Sequence, residues 1–284
     1  MSADFDMPQL VDPWMIVAFE GWNDAAEAAS DVVDHLIEWW DAELVVELDP
    51  DDYYDFQVNR PIIALEDSGE RSITWPTTRV WVARPVGSDR DVVIVQGLEP
   101  NMQWKRFCAE LLAITESFDV QVVVTLGALL ADTPHTRPVP VTGTTNDPTI
   151  QTRLDLEESQ YEGPTGINGV FAQVCRHADI PTVSLWAAVP HYVAQPPNPK
   201  ATLALLGYLE DVLESSLPMG DLQELAQAWE RGVEELAGSD ADIAAYVESL
   251  EQARDTTELP EASGDAIARE FERYLKRRSR DNDA

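Results

Sequence analysis

Trp14-Met15-Ile16-Val17-Ala18-Phe19-Glu20-Gly21-Trp22-Asn23-Asp24-Ala25, residues 14–25, changes its hydrophobic period halfway through. Residues 14–19 are continuously apolar and stop at Glu20-Gly21, the pattern of a short strand covered on both faces. Asn23 then stands where a helix cap would. Behind it, Ala25, Ala28, Ala29, Val32, Val33, Leu36, Ile37 and Trp40 recur at three- and four-residue spacings. Asp24, Glu27 and Asp31 lie near the positive end of that helix's dipole. A strand that turns directly into an amphipathic helix is the opening unit of an α/β sheet.

The alternation continues outward. Leu44–Leu48 reads as a second strand, stopped by Asp49-Pro50-Asp51-Asp52. Between Tyr53 and Pro85 the runs at 61–63, 73–75 and 79–83 read as short antiparallel strands at a sheet edge. Asp91–Gln96 is a strand, followed by Gly97-Leu98-Glu99-Pro100 and a helix over 101–118 with Trp104, Phe107, Cys108, Leu111, Leu112 and Thr115 inward. Val120–Leu126 is a β-branched strand ended by Gly127, and residues 128–148 read as a long polar connection. Gly163–Gly169 leads into a helix through Val170, Phe171, Val174 and Cys175. A strand at Pro181–Ala187, a proline-rich loop at 190–199 and a helix at 201–213 complete the pattern. It predicts an α/β fold: a three-layer α/β/α domain over residues 1–218, with a mixed, mostly parallel sheet.

From Asp221 the strand signal is gone. Leu222, Leu225, Trp229, Val233 and Leu236 make one helical stripe, Ile243, Val247 and Leu250 a second, and Ile267, Phe271 and Leu275 a third. A small all-α C-terminal extension of about three helices is expected over 219–284. Each helix is too short to stand alone, so each must pack on something. The last ends in Lys276-Arg277-Arg278-Ser279-Arg280, where cations suit a helix C-terminus.

Charge narrows the partners. The chain carries 52 acidic and 19 basic residues, a net charge of −33, which repels nucleic-acid phosphates and anionic lipid. No run approaches the roughly 20 apolar residues that cross a bilayer. The opening decapeptide bears Asp4 and Asp6 and no cation, so a cytoplasmic location is expected. Cys108 and Cys175 both sit in apolar helical patterns and build no disulfide framework. Lys105, Lys200 and Lys276 are the only lysines, a poor supply for gripping a nucleoside triphosphate.

Ligands of open α/β sheets bind outside the carboxyl ends of the strands. That directs attention to Glu20, Gly21, Trp22, Asn23 and Asp24, to Gly97 and Glu99, to Gly127, and to His191 and Tyr192. Glu20 and Glu99 are placed to be paired carboxylates, or simply solvated. Gly166, Asn168 and Gly169 at a helix start suit an anion cradle, and glycine there equally suits close packing of helix on sheet. Arg137 offers a fork for an oxyanion. No P-loop, nucleophile elbow, zinc-ligand pair or dinucleotide fingerprint occurs, and His35, His135, His177 and His191 have no metal-like spacing, so neither a metal nor another cofactor is implied.

The order of Glu20-Gly21-Trp22-Asn23-Asp24-Ala25, then Gly163-Pro164-Thr165-Gly166-Ile167-Asn168-Gly169, then Ser184-Leu185-Trp186-Ala187-Ala188-Val189-Pro190-His191-Tyr192 and the helix after Pro199-Lys200-Ala201 resembles the proteasome assembly chaperone type 2 family. The likeness covers roughly residues 14–215 and is greatest to the actinobacterial branch, which carries a helical C-terminal extension. It implies a phosphorylase/hydrolase-like α/β/α fold, distantly grouped with ATP-grasp proteins. Eukaryotic relatives form a heterodimer that guides proteasome α-ring assembly.

The expectation is therefore a non-catalytic, homo-oligomeric binding or assembly protein whose partners are proteins: itself and, through the resemblance, proteasome subunits. Trp39-Trp40 and Trp75 with Trp81 are candidate contact surfaces, since tryptophan is enriched at interface hot spots. The alternatives are an enzyme acting on a small phosphorylated or nucleoside-like substrate in the strand-end cleft and, last, an ATP-grasp-related ligase.

Overall fold

Residues of the first strand alternate strictly between two cores. In β1 (Trp14–Glu20), Trp14, Ile16 and Ala18 join one apolar cluster while Met15, Val17 and Phe19 join another. Such alternation in an entirely apolar strand requires a layer of helices on each side. The computed structural model describes residues 8–66 and 68–258 of the chain.

Strand β1 is followed by α1 (Ser30–Trp39), β2 (Glu43–Glu47), β3 (Ile62–Leu65), β4 (Arg71–Thr74), β5 (Thr78–Ala83) and β6 (Val92–Leu98). Then come α2 (Trp104–Ser117), β7 (Val122–Ala131), β8 (Val141–Thr145), α3 (Pro148–Leu154), α4 (Ile167–His177), β9 (Thr182–Pro190) and α5 (Pro199–Leu213). The extension contributes α6 (Leu222–Gly238) and α7 (Ala241–Glu258). Seven strands form the main sheet in the order β2-β5-β6-β1-β7-β9-β8. Strand β1 runs parallel to β6 and β7, and β7 parallel to β9, whereas β5 is antiparallel to β2 and β6, and β8 to β9. A mostly parallel centre with antiparallel edges is the expected mixed sheet.

Val32, Val33 and Leu36 of α1 and Leu205, Leu206 and Leu209 of α5 cover one face. Phe107, Cys108 and Leu111 of α2 and Ile167, Phe171 and Cys175 of α4 cover the other. Full burial of side chains this size stabilises by roughly 1.5–3 kcal/mol each, so these two helix pairs anchor the three layers. Both cysteines are free, and burial pushes their thiols up to about 12.

Several local expectations are corrected. Helix α1 starts at Ser30, not after Asn23, because a 3-10 turn at Ala25–Glu27 with positive φ at Ala26 and Glu27 intervenes. Asp24, not Asn23, supplies the cap, accepting from the Ala29 N–H at 2.7 Å and the Ser30 N–H at 3.0 Å. Strands β3 and β4 leave the main sheet as a separate two-stranded ribbon. Strand β7 runs through Gly127 to Ala131, since Gly127 faces the Trp186 ring of β9 and pairing with β9 continues to Ala131↔Pro190. The connection within residues 128–148 is shorter than expected: an irregular loop spans 132–140, flanked by the end of β7 and the polar edge strand β8, with α3 starting at Pro148. In α6 the inward residues are Leu222, Ala226, Val233 and Ala237, while Leu225 and Leu236 face outward. The third stripe, Ile267 to Leu275, and the basic run 276–280 lie outside the described residues.

Gly97 in β6 shows how tightly the sheet is drawn. A Cβ there would come within 2.6 Å of Thr78 Oγ1 and 2.8 Å of both the Thr77 carbonyl oxygen and Thr78 Cα. Backbone atoms cannot swing aside. Gly97→Ala is therefore expected to destabilise the fold by about 1–3 kcal/mol, read as a lowered urea midpoint, whereas alanine at Gly232, with nothing within 4 Å, leaves no such clash.

Candidate functional site

Beside β1 the chain changes direction across the sheet, with β6 on one side and β7 on the other and with α1 and α2 on opposite faces. The crevice at the carboxyl ends of such strands is the natural ligand position in an open α/β sheet. Three segments meet there: the turn after β1, the turn after β6 and the start of α4.

Glu99 joins them. Its Oε1 accepts from Asn23 Nδ2 at 2.8 Å and from the Ile167 backbone N–H at 2.9 Å, while its own N–H donates to the Glu20 carbonyl at 3.0 Å. Ile167 is the first residue of α4, so the carboxylate lies where unpaired helix N–H groups and the helix dipole favour an anion. Asn23 is fully buried and its carbonyl accepts from Ala128 N–H of β7 at 2.8 Å. Asn168, buried beside it, donates from Nδ2 to the Leu126 carbonyl at 2.8 Å. Gly166 must be glycine: a Cβ there would lie 2.0 Å from Asn23 Oδ1 and 2.8 Å from Glu99 Oε1. Both readings of the glycine-rich helix start meet here, close packing and an anion cradle, with the anion supplied by the chain itself. The Oδ1 atoms of Asn23 and Asn168 have no hydrogen-bond partner.

Glu20 turns toward α1. Burial, then the carboxylates of Asp34, Glu27, Asp24 and Asp31, push its pKa up to about 7. Asp31 rises to about 6, again through burial and then Asp24, Asp34 and Glu27. Burial raises Asp24 too, against the hydrogen bonds from Ser30 and Ala29 that hold it ionised. Among the described residues no group of three His, Cys, Asp or Glu is disposed to hold a metal ion.

A second polar cluster clamps the helical extension to the strand ends. His135 is buried, with Nδ1 2.8 Å from the Tyr192 hydroxyl and Nε2 3.0 Å from Glu234 Oε2 of α6. Lys200 donates to the His135 carbonyl and, at 3.0 Å, to Glu230 of α6. Arg137 grips Asp255 of α7 with two bonds at 2.9 Å and Glu251 at 3.2 Å. The Arg137 hydrogen bonds hold the Asp255 carboxyl below the usual range. Tyr246 of α7 donates to Asp132 at 2.8 Å and stacks edge-on with Tyr192.

Of the residues singled out in the sequence, the structure gathers Glu20, Gly21, Asn23, Glu99, Gly166 and Asn168 at one crevice. Trp22 is exposed at its rim, 66% accessible. Asp24 caps α1, Gly97 and Gly127 serve sheet packing, and Gly169 faces the Thr165 hydroxyl. Arg137 and Tyr192 belong to the extension clamp, and His191 lies 3.8 Å from Asp132 beside it. Sequence reasoning missed His135, Lys200, Glu230 and Glu234, whose partners come from segments 65 or more residues apart or on another helix.

The PAC2 family model matches residues 18–237, and the chain belongs to the PAC2 family. A PAC2 family protein from Streptomyces avermitilis is 58% identical with a TM-score of 0.78, covering 83% of this chain and 100% of that one. A proteasome-assembly chaperone homologue from Mycobacterium tuberculosis is 54% identical with a TM-score of 0.75, covering 82% and 99%. An archaeal proteasome activator from Pyrococcus furiosus shares the fold, at 16% identity and a TM-score of 0.64 over 82% and 96%. No curated protein matches the sequence significantly.

Removing the Glu99 carboxylate strands the Asn23 amide and the Ile167 N–H, so Glu99→Ala is expected to cost roughly 1–3 kcal/mol. Glu99→Gln, whose amide oxygen still accepts, costs less; chemical denaturation of both variants measures the difference. For Glu20 and Asp31 the folded pKa exceeds the ordinary values of 4.5 and 3.8. The folded state then binds more protons than the unfolded chain, and stability falls as pH rises through about 4 to 7. Melting temperatures are expected to be higher at pH 5.5 than at pH 8, and Glu20→Gln to raise the value at pH 8 and flatten the profile.

Proposed function

We propose that this PAC2 family chain is a non-catalytic assembly protein that binds proteins, itself among them, and that proteasome components are its partners. The observation that carries the reading is the 54% identity, over 82% of this chain and 99% of the other, to a protein described as a proteasome-assembly chaperone homologue. Two features of the site support a binding role over an enzymatic one. The helix N-terminus that would cradle a substrate phosphate is filled by Glu99, and Arg137, the cation suited to an oxyanion, is committed to Glu251 and Asp255. Phosphate would have to displace a half-buried carboxylate that already accepts from the Ile167 N–H.

Net charge supports a protein partner of complementary sign, because a −33 surface speeds encounter with basic surfaces and slows it with acidic ones. No helix among the described residues is long and apolar enough to cross a membrane.

Affinity purification of the tagged chain from a cell that holds a proteasome tests the reading. Core proteasome subunits are expected to copurify in a salt-dependent manner. Their absence, together with thermal stabilisation by phosphate, nucleosides or ATP, would overturn it in favour of the enzyme.

A further inference from the structure

The loops that follow β7 and β9 gather cationic side chains in a chain that has few. Residues 133–140 hold His135 and Arg137, residues 190–200 hold His191 and Lys200, and neither stretch contains an Asp or Glu, although the chain has 52 acids. Asp132 precedes the first stretch, accepts from the Tyr246 hydroxyl and lies 3.8 Å from His191.

The helical extension meets this patch with carboxylates. Glu230 and Glu234 of α6 reach Lys200 and His135, while Glu251 and Asp255 of α7 reach Arg137. The Thr136 hydroxyl donates to Glu251 as well. The two helices are nevertheless held differently. Helix α6 buries Leu222, Ala226, Val233 and Ala237. Among the described residues, Val247 is the one side chain of α7 that is buried, and polar bonds to Arg137, Thr136 and Asp132 with the edge-on pair of Tyr192 and Tyr246 tie the helix to the loops. Ion pairs of this exposure are weak and screened by salt, so α7 opens at a lower free energy than α6. Ser239 and Asp240 alone separate the two helices, and a Cβ at Gly238 would meet nothing within 4 Å, which leaves the joint room to turn.

We propose that α7 is an autoinhibitory latch: its carboxylates occupy a docking surface, built from Thr136, Arg137, His191 and Tyr192, that takes a carboxylate-bearing helical segment of a partner protein once α7 swings away. His135 and Lys200 remain under α6. The chemistry of the occupant follows from what is seated there. Glu251 and Asp255, one helical turn apart, share the Arg137 guanidinium, and Tyr246 sets its ring edge-on to Tyr192. A segment with two acids a turn apart and an aromatic side chain one to two turns before them reproduces each contact. Tethering gives α7 a high effective concentration at the surface, so it keeps out a free segment until its own bonds weaken. The inference builds on the protein-binding role proposed above and names a surface for it, without requiring the proteasome as the partner.

A fluorescent peptide of residues 241–258 is the probe, and the full chain is the target. Glu251→Gln with Asp255→Asn weakens the latch and leaves the loops untouched. Fluorescence anisotropy is expected to show the peptide binding this variant roughly tenfold or more tighter than the wild type, because the open surface is more populated. Adding Arg137→Ala to the variant is expected to abolish the binding with circular dichroism unchanged. Hydrogen exchange on the wild type is expected to show α7 amides losing protection between about 0.1 and about 1 M salt, as the screening length falls from about 10 to about 3 Å, while α5 and α6 keep theirs. Equal binding to wild type and variant, binding to neither, or binding that survives Arg137→Ala overturns the docking surface. Protection of α7 equal to that of α6 at both salt concentrations overturns the latch. A wild type above monomer mass whose Glu251→Gln, Asp255→Asn variant is monomeric assigns the surface to α7 of a second copy and overturns docking of a separate partner. Failure of proteasome subunits to copurify overturns the partner proposed above and leaves these readouts in force.

Discussion

A helix that begins beside the end of a parallel sheet brings unpaired N–H groups and a partial positive charge into the crevice where the strands stop. Something acidic must meet them, and here Glu99 does, reaching from the turn after β6 to Ile167 of α4 while holding the buried amide of Asn23. That contact fixes three segments distant in sequence at one point, the turns after β1 and β6 and the start of α4. It also dictates neighbouring residue types. Gly166 has no room for a side chain, and Asn23, drawn to Glu99, leaves capping of α1 to Asp24. Related sheets use this position for ligands; this chain fills it with its own carboxylate.

The central sheet was legible because burial on both faces leaves a one-dimensional trace. The largely apolar runs at 14–19, 91–96 and 120–126 each became a strand in the parallel core, and helices α2 and α4 kept the expected inward faces at Phe107, Cys108, Leu111, Phe171 and Cys175. Edge structure left no such trace. Strand β8, Val141-Thr142-Gly143-Thr144-Thr145, has solvent on one side and reads as loop, and Gly127 reads as a stop although it makes room for Trp186 across the ladder. At the site, the residue types were visible and the partnerships were not. Glu99 and Asn23 are 76 positions apart, His135 and Glu234 are 99, and no local period records which distant donor a carboxylate will meet.

Net charge of −33 constrains how the rest is put together, because each cation is scarce. Lys200 and Arg137 are spent on the acidic inner faces of α6 and α7, Arg106 on Asp52, and Arg153 on Glu214. The clamp on α7 is chiefly polar: Val247 is its buried apolar side chain, whereas Arg137 and Tyr246 supply directed bonds to the loop after β7. Exposed ion pairs contribute little individually. The hydrogen bond between Glu234 of α6 and His135 is made to a fully buried ring, where solvent screens it less.

The acidic stripe on α1 is the counterpart of that economy. Burial first, then the carboxylates of Asp34, Glu27, Asp24 and Asp31, push the Glu20 pKa up to about 7. A sequence under selection for stability alone would disperse such a row, since surface charges are cheap to change and each like pair costs a few tenths of a kilocalorie.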